Sequence, residues 1–484
     1  MAAVYTGAAA GYPLGTMTTH KLPPGPPPVP RTPWGLYRYL RDFQRDPSGF
    51  VARRFAAYGD MYYAPLGSTR LYVTRHPDHI RDVLVDKGSS FKKTEAGNAA
   101  RHLRRFLGNG LLLSNGELWR RQRRMINPAL HRQKVQGYAA TMVDNTRRML
   151  EAWRAGAVVE LSSEMMQLTL AIVTQSLFDY GVGGRSSDVM QAMDAFRTVA
   201  TTPVFLPSWL PLPSELRTRR ALALVDGIIY RMIDERRALG EAELHKRSDL
   251  LSALILATDD EDAASAGERG QGMTRQLLRD ELLTLFLAGH ETTSHALSWT
   301  FYLLSQHPQI EAQLHAELDA VLGGSPPTME HLRALPFTEM VLNEAMRLYP
   351  PAPVVSRTAI EDTEVGGYVI PAGAEVIIWL YWTHHDPRFF PEPQAFRPER
   401  FAQGIPAAVR GAFLPFGGGS RLCIGKEFAL MEARLVLATV AQRFSLKLEP
   451  GQDIAPRFAV TLSPRNGMRM RLVPRAGGQA AAPA

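Results

Sequence analysis

The only cysteine of the chain, Cys423, lies in the glycine-rich stretch 416–425, which reads Phe-Gly-Gly-Gly-Ser-Arg-Leu-Cys-Ile-Gly. Its glycines allow a sharply bent backbone that can approach a flat ligand closely. Arg421 lies two positions before the cysteine, and a positive charge beside sulfur favours thiolate over thiol. An apolar-periodic helix is predicted after Gly425, so its first amides would also point toward the sulfur. A lone cysteine is usually a buried, inert side chain, but these neighbours instead indicate a ligand for a soft metal centre.

The number of cysteines narrows the kind of metal centre. One cysteine cannot supply the several thiolates of a structural zinc or iron–sulfur site. Single axial ligation of a haem iron is therefore the leading interpretation. A single cysteine also excludes an intramolecular disulfide, so the fold does not depend on an oxidising compartment.

The spacing Phe416-x-x-Gly419-x-Arg421-x-Cys423-x-Gly425 resembles the haem-binding signature of the cytochrome P-450 superfamily. This resemblance implies a mainly α fold with small β-sheets (α+β), the cytochrome P-450 fold. It implies haem b (iron protoporphyrin IX) between a long central helix and the cysteine loop, with Cys423 as the metal ligand. Within the loop, Phe416, Arg421 and Gly425 would contact the haem.

A long central helix is also predicted from the sequence itself. Residues 274–306 have helical character up to His307-Pro308, which at 1.5 Å per residue gives a length of about 50 Å. Its segment 282–288 is apolar on all sides, as is typical of a buried helix. The following residues, up to 293, include a glycine and a glutamate, both of which are costly inside a buried helix. Together they indicate a functional site where a ligand lies against the helix and protons pass inward.

The centre of this helix, Ala288-Gly-His-Glu-Thr-Thr, resembles the oxygen-activation motif of the same superfamily. The resemblance implies that Thr292 hydrogen-bonds dioxygen at the haem, that Glu291 belongs to a proton relay, and that Ala288 lies at the haem. His290-Glu291 followed by His295 is similar to a zinc-hydrolase motif, but that motif needs histidines four residues apart. A spacing of five places these two about 140° apart around the helix, which argues against zinc hydrolysis.

Glu344 and Arg347 lie three residues apart on one predicted helix, just before the helix-ending Tyr-Pro-Pro at 349–351. The same spacing occurs elsewhere in the chain, so its position distinguishes this pair. The resemblance implies that Glu344, Arg347 and Arg400 form a buried structural network on the haem side of the core.

Haem carries two propionates that cations must meet. The resemblance implies that Trp119 and Arg123 form one propionate contact, with Arg357 and Arg421 as further contacts. Arg123 belongs to the basic run 120–124, so an exposed helical arginine is the alternative there.

A further set of positions corresponds to places that line the substrate pocket in the superfamily, although ordinary core packing would explain the same residues. These positions are Phe286, Ala288, Val354, Val355, Val460, Thr461 and Leu462. The proline-rich, apolar segment 202–213 is interpreted as a lid over a hydrophobic entrance, the alternative being a loop packed onto the core.

The chain has 484 residues and is 45% hydrophobic, as expected for a large globular core. Residues 1–21 are predicted to be a disordered tail, 22–474 a single haem-thiolate monooxygenase domain and 475–484 a flexible C-terminal tail. Residues 34–58 are predicted to form one helix. The N-terminal residues contain neither a spanning apolar run nor a secretory pattern, so a soluble, cytoplasmic protein without a transmembrane anchor is expected.

The net charge is +8, which suits good solubility or an acidic partner. The resemblance implies that a separate ferredoxin or flavodoxin with its reductase delivers electrons that originate from NAD(P)H. Docking is expected near Arg120, Arg121, Arg124 and Lys426. No nucleic-acid partner is expected, because no reading module or interleaved aromatic residues accompany the basic run.

These features predict a haem-dependent monooxygenase that inserts one oxygen atom from O₂ into a lipophilic small molecule. Hydroxylation or epoxidation of a fatty acid, terpenoid, steroid or polyketide-like substrate would qualify. A peroxide-driven peroxygenase or a thiolate-haem isomerase is the alternative, although neither needs the pair Glu291-Thr292. A non-enzymatic haem sensor fits least, because a buried proton relay would be surplus there.

Overall fold

The computed structural model describes residues 22–29, 32–67, 69–95, 98–179, 213–247, 249–257, 272–405 and 409–475. Helices dominate these ranges and short strands form small sheets beside them, which confirms the predicted fold class. The predicted N-terminal tail, residues 476–484 and residues 202–212 of the predicted lid lie outside these ranges. No helix in the described ranges is long and apolar enough to cross a membrane.

The α-helices of the described ranges are numbered in chain order. They are α1 (Pro33–Arg45), α2 (Pro47–Tyr58), α3 (Pro77–Arg81), α4 (Asn98–Leu107), α5 (Gly116–Ile126), α6 (Arg132–Gln136), α7 (Ala139–Ala152), α8 (Leu161–Phe178), α9 (Pro213–Arg237), α10 (Glu241–Leu244), α11 (Leu250–Leu256), α12 (Arg275–Gln306), α13 (Pro308–Leu322), α14 (Pro336–Leu348), α15 (Leu380–His384) and α16 (Lys426–Arg443).

The strands are β1 (Met61–Tyr63), β2 (Leu71–Thr74), β3 (Phe91–Lys93), β4 (Val158–Glu160), β5 (Val355–Ala359), β6 (Thr363–Val365), β7 (Tyr368–Ile370), β8 (Glu375–Ile378), β9 (Phe444–Leu448), β10 (Pro456–Phe458), β11 (Leu462–Pro464) and β12 (Arg469–Pro474). The largest sheet has the order β1-β2-β8-β5-β3, and only its β2–β8 pair is parallel. A second sheet has the order β4-β12-β9, while β6–β7 and β10–β11 are two-stranded.

The region predicted as one helix over 34–58 contains two helices, α1 and α2. The break falls at Asp46, whose backbone leaves the helical region (φ −149°, ψ 77°). Pro47 disfavours a helical conformation at the residue before it and supplies no N–H to the helix. The Asp46 carboxylate accepts a hydrogen bond from the backbone N–H of Gly49 at 2.8 Å, so the same residue ends α1 and caps α2.

The central helix α12 extends over 32 residues, Arg275–Gln306, close to the predicted span 274–306. The Thr274 side chain caps it by accepting from the N–H of Leu277 at 3.1 Å, and Pro308 follows its end. The helix is surrounded by α8, α9, α14 and strand β9. Most of its side chains are buried, including polar ones, so any polar group at its centre needs a local partner.

Trp299 of α12 connects the central helix to two other parts of the fold. Its ring stacks on Tyr349 with centroids 4.0 Å apart. Its indole Nε1 donates to the carbonyl of Leu462 in β11 at 2.9 Å. These contacts hold the β10–β11 hairpin beside the central helix.

Candidate functional site

The loop 416–425 has the sharp bend that its glycines predict. Gly417 and Gly419 have φ values of 74° and 67°, which side chains rarely adopt. A Cβ on Gly419 would lie 1.7 Å from the carbonyl oxygen of Leu84, so no side chain fits there. The N–H of Cys423 donates to the carbonyl of Phe416 at 3.0 Å. The cysteine thus closes the loop just before α16 begins at Lys426.

The Cys423 thiol has accessible surface, although protein atoms surround most of it. That burial raises the pKa of the thiol, opposed by a backbone hydrogen bond from Gly425 and by the charges of Arg123 and Lys426. Arg421 is not among these charges, since its guanidinium donates to Asn115 at 3.0 Å, and its effect on the thiolate stays a prediction. Since burial dominates, a cation bound at the sulfur itself would favour the thiolate most directly.

Residues 288–293 lie at the middle of α12, and the helix has accessible surface at this point. Ala288 is exposed, whereas Phe286 and His290 beside it are buried. A Cβ on Gly289 would lie 3.0 Å from Val173 Cγ2 of α8, so the missing side chain lets the two helices pack closely. Ala288 therefore provides the open surface of this segment.

Glu291 and Thr292 are adjacent in sequence but have different partners. The hydroxyl of Thr292 donates to the carbonyl of Ala288 at 2.9 Å. The carboxylate Oε1 of Glu291 accepts from the Thr461 hydroxyl at 2.8 Å and lies 3.7 Å from His295 Nε2. Within the described residues, no hydrogen bond joins the side chains of Glu291 and Thr292.

The Glu291 carboxyl is held in its charged form by its neighbours. Burial alone would raise the pKa of Glu291. His295, the Thr461 hydroxyl and His290 act in the opposite direction and prevail, so the pKa is below its ordinary value. A buried carboxylate at the centre of a helix is thereby compensated.

Four cations form a cluster near the cysteine loop: Lys93, Arg123, Arg357 and Arg421. Burial lowers the pKa of Lys93 to about 7, with Arg357 and Arg421 adding to the effect, although Lys93 keeps some accessible surface. Burial likewise lowers the pKa of Arg357 to about 10 and that of Arg421 to about 10. Lys93 and Arg357 are direct partners across the β3–β5 pair, where like charges repel.

The contacts of these cations are polar but not acidic. Arg123 Nη2 donates to the carbonyl of Leu422 at 3.1 Å, and Arg421 Nη2 donates to Asn115 at 3.0 Å. Across the part of the chain that the structure describes, no carboxylate forms an ion pair with any cation of this cluster. A partly buried positive cluster without carboxylate partners among the described residues is suited to an anionic ligand.

The ring of Trp119 contacts two of the guanidinium groups. Its ring lies 4.1 Å from the Arg421 guanidinium carbon and 5.9 Å from that of Arg123. Arg123 is partly buried and contacts the cysteine loop, which does not fit the alternative of an exposed helical arginine. Lys93 was not foreseen, because only the pairing of β3 with β5 brings it to this cluster.

Glu344, Arg347 and Arg400 are brought together in the core. Arg347 Nε and Nη2 donate to the two Glu344 oxygens at 2.7 and 2.8 Å. Arg400 Nε donates to Glu344 Oε1 at 3.1 Å. Glu344 and Arg347 have side chains with 0% exposure, so the charges compensate one another away from water.

The predicted pocket residues have mixed environments. Val354 and Val355 are half-buried, and Val460 is exposed at 42%. Leu462 is 0% exposed, as the alternative of ordinary core packing expects, and its backbone carbonyl accepts from Trp299. Phe286 is also a core residue, with its ring 4.5 Å from that of Phe178. Thr461 is directed at Glu291, a contact that the sequence did not reveal.

Comparisons with known proteins agree with this geometry. A family model for cytochrome P450 matches residues 23–469. Cyclooctatin synthase of Streptomyces melanosporofaciens is 37% identical over 425 residues, 87% of this chain and 90% of that protein. Pentalenene oxygenase of Streptomyces avermitilis is 32% identical over 466 residues, 94% of this chain and 98% of that protein. The structure of retinoic acid bound cyanobacterial CYP120A1 aligns with a TM-score of 0.80 at 26% identity, covering 94% of this chain and 100% of that chain.

The chain therefore belongs to the cytochrome P450 family, as the motifs at 416–425 and 288–293 predicted. It is a cytochrome P450 monooxygenase. The family implies a haem cofactor, and the residues present fit one. The fit rests on a single thiol at a bent loop, a cationic cluster that has no carboxylate partner among the described residues, and open surface at Ala288.

Proposed function

We propose that this monooxygenase oxidises a terpenoid-class substrate. The proposed oxidation is supported by one combination of features: the thiol in its bent loop, the cationic cluster, and the acid–alcohol pair on the central helix. The terpenoid class is supported by the relatives, which include cyclooctat-9-en-7-ol 5-monooxygenase of Streptomyces melanosporofaciens, 37% identical over 423 residues. Apolar pocket candidates such as Val354 and Val355 agree with a lipophilic substrate.

In this proposal Cys423 ligates the haem iron through its sulfur. Arg123, Arg357, Arg421 and Lys93 bind the two propionates, whose negative charges offset the desolvation and mutual repulsion of the cations. Bound haem supplies the activation of O₂ with two electrons and the transfer of one oxygen atom. The bend at Gly419 and the hydrogen bond from Cys423 to Phe416 fix the direction of the sulfur.

Glu291 and Thr292 are proposed to handle protons on the opposite wall. The Thr292 hydroxyl is both donor and acceptor. It can therefore donate its proton at Oγ1 and accept another in return while its hydrogen bond to the Ala288 carbonyl is broken. The Glu291 carboxylate is charged at neutral pH and can accept a proton from solvent before releasing it inward. Such delivery requires bridging water between the two side chains, since they are not bonded directly.

We further propose that electrons from NAD(P)H arrive through a separate ferredoxin or flavodoxin with its reductase. The docking surface would include Arg120, Arg124 and Lys426 beside the cysteine loop. Arg120 and Arg124 share Glu117, at 2.8 and 3.7 Å, so an acidic partner has to compete with that carboxylate. Glu117 and Arg120 are exposed and Arg124 is half-buried, so such competition costs little free energy at the Glu117–Arg120 pair.

Two measurements test the proposed function. Terpenoids, fatty acids, steroids and macrolides would each be titrated into the haem-loaded protein, with the shift in haem absorbance as the readout of binding. Bound compounds would then be incubated with O₂ and an electron-donor system, or with hydrogen peroxide alone. Product from a terpenoid with O₂ and donor electrons supports the proposal. Turnover with peroxide alone would favour the peroxygenase alternative, and binding confined to another compound class would refute the terpenoid assignment.

A further inference from the structure

The strongest unexplained contact of the site joins the proton-relay candidate Glu291 to the β10–β11 hairpin. Thr461, in the turn of that hairpin, is 8% exposed and donates its hydroxyl proton to Glu291 Oε1 at 2.8 Å. His295, one turn further along α12, approaches the same oxygen at 3.7 Å. That distance is within ion-pair range but beyond a hydrogen bond. Two groups from different elements thus converge on one carboxylate oxygen.

Among the described residues, no other contact of His295 indicates a different role. Its side chain is 4% exposed, and neither ring nitrogen has a hydrogen-bond partner among the described residues. A buried imidazole without a partner is unfavourable. Proximity to the Glu291 charge offsets this cost, which explains why the histidine is tolerated here.

The hairpin that carries Thr461 is fixed on one side and exposed on the other. The N–H of Leu462 donates to the carbonyl of Pro351 at 3.0 Å, and its carbonyl accepts from Trp299 at 2.9 Å. Val460, on the other side of Thr461, is 42% exposed. A molecule that contacts Val460 would therefore press on the residue that precedes Thr461, the hydrogen-bond donor to Glu291.

We propose that Thr461 and His295 are positioning residues that hold the Glu291 carboxylate toward the hairpin, so that hairpin geometry controls proton delivery to Thr292. This inference rests on the proposed roles of Glu291 and Thr292. Oε1 is occupied by Thr461, whereas Oε2 accepts no hydrogen bond from the described residues and is free to bind a bridging water. A substrate that displaces the hairpin changes the direction of Oε2 and hence the efficiency with which protons reach Thr292.

The test compares Thr461→Val, which keeps the side-chain shape without the donor, with Thr461→Ser, which keeps the donor. Product and hydrogen peroxide would be measured per NAD(P)H consumed, at saturating substrate and with the donor system. Losing a hydrogen bond to a charged group should raise the ratio of peroxide to product by about tenfold in Thr461→Val. Thr461→Ser should stay within about twofold of the parent, and His295→Leu should shift the ratio in the same direction as Thr461→Val.

Two further readouts separate positioning from simple loss of packing. The solvent deuterium isotope effect on product formation should increase in Thr461→Val and stay at the parent value in Thr461→Ser. A double-mutant cycle of Thr461→Val with Glu291→Ala, measured by urea unfolding of the haem-loaded protein, should be non-additive because the two side chains interact directly. If Thr461→Val does not load haem, Thr461→Ala takes its place in both measurements.

The results also distinguish this inference from the proposed function. If Thr461→Val keeps the parental product yield while Thr292→Ala releases peroxide, the positioning role is refuted and the relay stands. If Thr292→Ala also keeps the parental yield, the relay itself is refuted. An additive double-mutant cycle would equally overturn the contact between Thr461 and Glu291.

Discussion

Removing the carboxylate of Glu344 should destabilise the protein strongly, because this side chain accepts bonds from several directions at once. It binds Arg347 at 2.7 and 2.8 Å, Arg400 at 3.1 Å and the backbone N–H of Arg397 at 3.0 Å. Glu344→Ala leaves the guanidinium of Arg347 buried without its counter-charge. Breaking a buried ion pair in this way costs about 3–5 kcal/mol. A domain with a total stability of about 5–15 kcal/mol loses a large fraction of it.

Arg347→Ala should be at least as damaging, for a different reason. Arg347 also donates to the carbonyls of His384, Pro393 and Ala395 at 3.0, 2.8 and 3.1 Å. Its removal leaves those carbonyls unsatisfied, whereas Glu344 keeps Arg400 as a partner. The structure therefore predicts a similar or larger loss for Arg347→Ala than for Glu344→Ala.

The measurement is urea unfolding of the haem-loaded protein, followed by circular dichroism and by haem absorbance. The chain offers a matched control in Glu117 and Arg120, which have the same three-residue spacing and a 2.8 Å contact but are 68% and 63% exposed. Glu117→Ala should change stability by at most about 0.5 kcal/mol. Equal losses for Glu344→Ala and Glu117→Ala would refute the argument that burial makes the difference.

Gly419→Ala should reduce haem loading, measured by haem absorbance per protein, because a Cβ would meet the carbonyl of Leu84 and φ is positive; loading at the parental level would contradict this. Burial lowers the pKa of Lys93 to about 7 in the folded protein, below its value in the unfolded chain. Between about pH 7 and 10, Lys93 therefore carries its proton in the unfolded chain but not in the folded protein. The stability of the apo-protein should rise with pH over this range. Lys93→Met should flatten that rise, measured by urea unfolding at several pH values. An unchanged slope of stability against pH would contradict the lowered pKa of Lys93. Arg120→Glu should slow electron transfer from an acidic donor in a salt-dependent way, whereas Arg41→Glu in α1 should not; salt-independent rates would exclude electrostatic docking.

Local sequence signals were sufficient for the elements that carry the site. The apolar run and the bracketing residues Thr274 and Pro308 define α12 almost to the residue, because capping and proline chemistry act within a few positions. The glycines around Cys423 predicted the bend of the loop for the same reason. By contrast, Pro47 should have divided the helix predicted over 34–58, since the rule that identifies Pro308 as a boundary applies there equally.

Contacts between distant parts of the chain could not be read from the sequence. Lys93 joins the cationic cluster only because β3 pairs with β5, and strand pairing is set by the whole sheet rather than by the strand. A glycine at position 289 is typical of a ligand contact, yet in the structure its missing side chain leaves space for Val173 of α8. Leu462 is apolar like Val460, but it is fully buried, and its backbone carbonyl accepts from Trp299.

Thr461 shows most clearly why a site is more than its motifs. The motif at 288–293 contains the acid and the alcohol, but the hydrogen bond that orients the acid comes from a hydroxyl 170 residues further along the chain. That hydroxyl is held in place by the contact of Leu462 with Trp299, which is itself part of α12. The central helix therefore carries Glu291 and also positions the hairpin that restrains it. Trp299→Phe shortens this side chain and removes the indole donor. It should therefore alter proton delivery by Glu291, although neither residue of the acid–alcohol pair is changed.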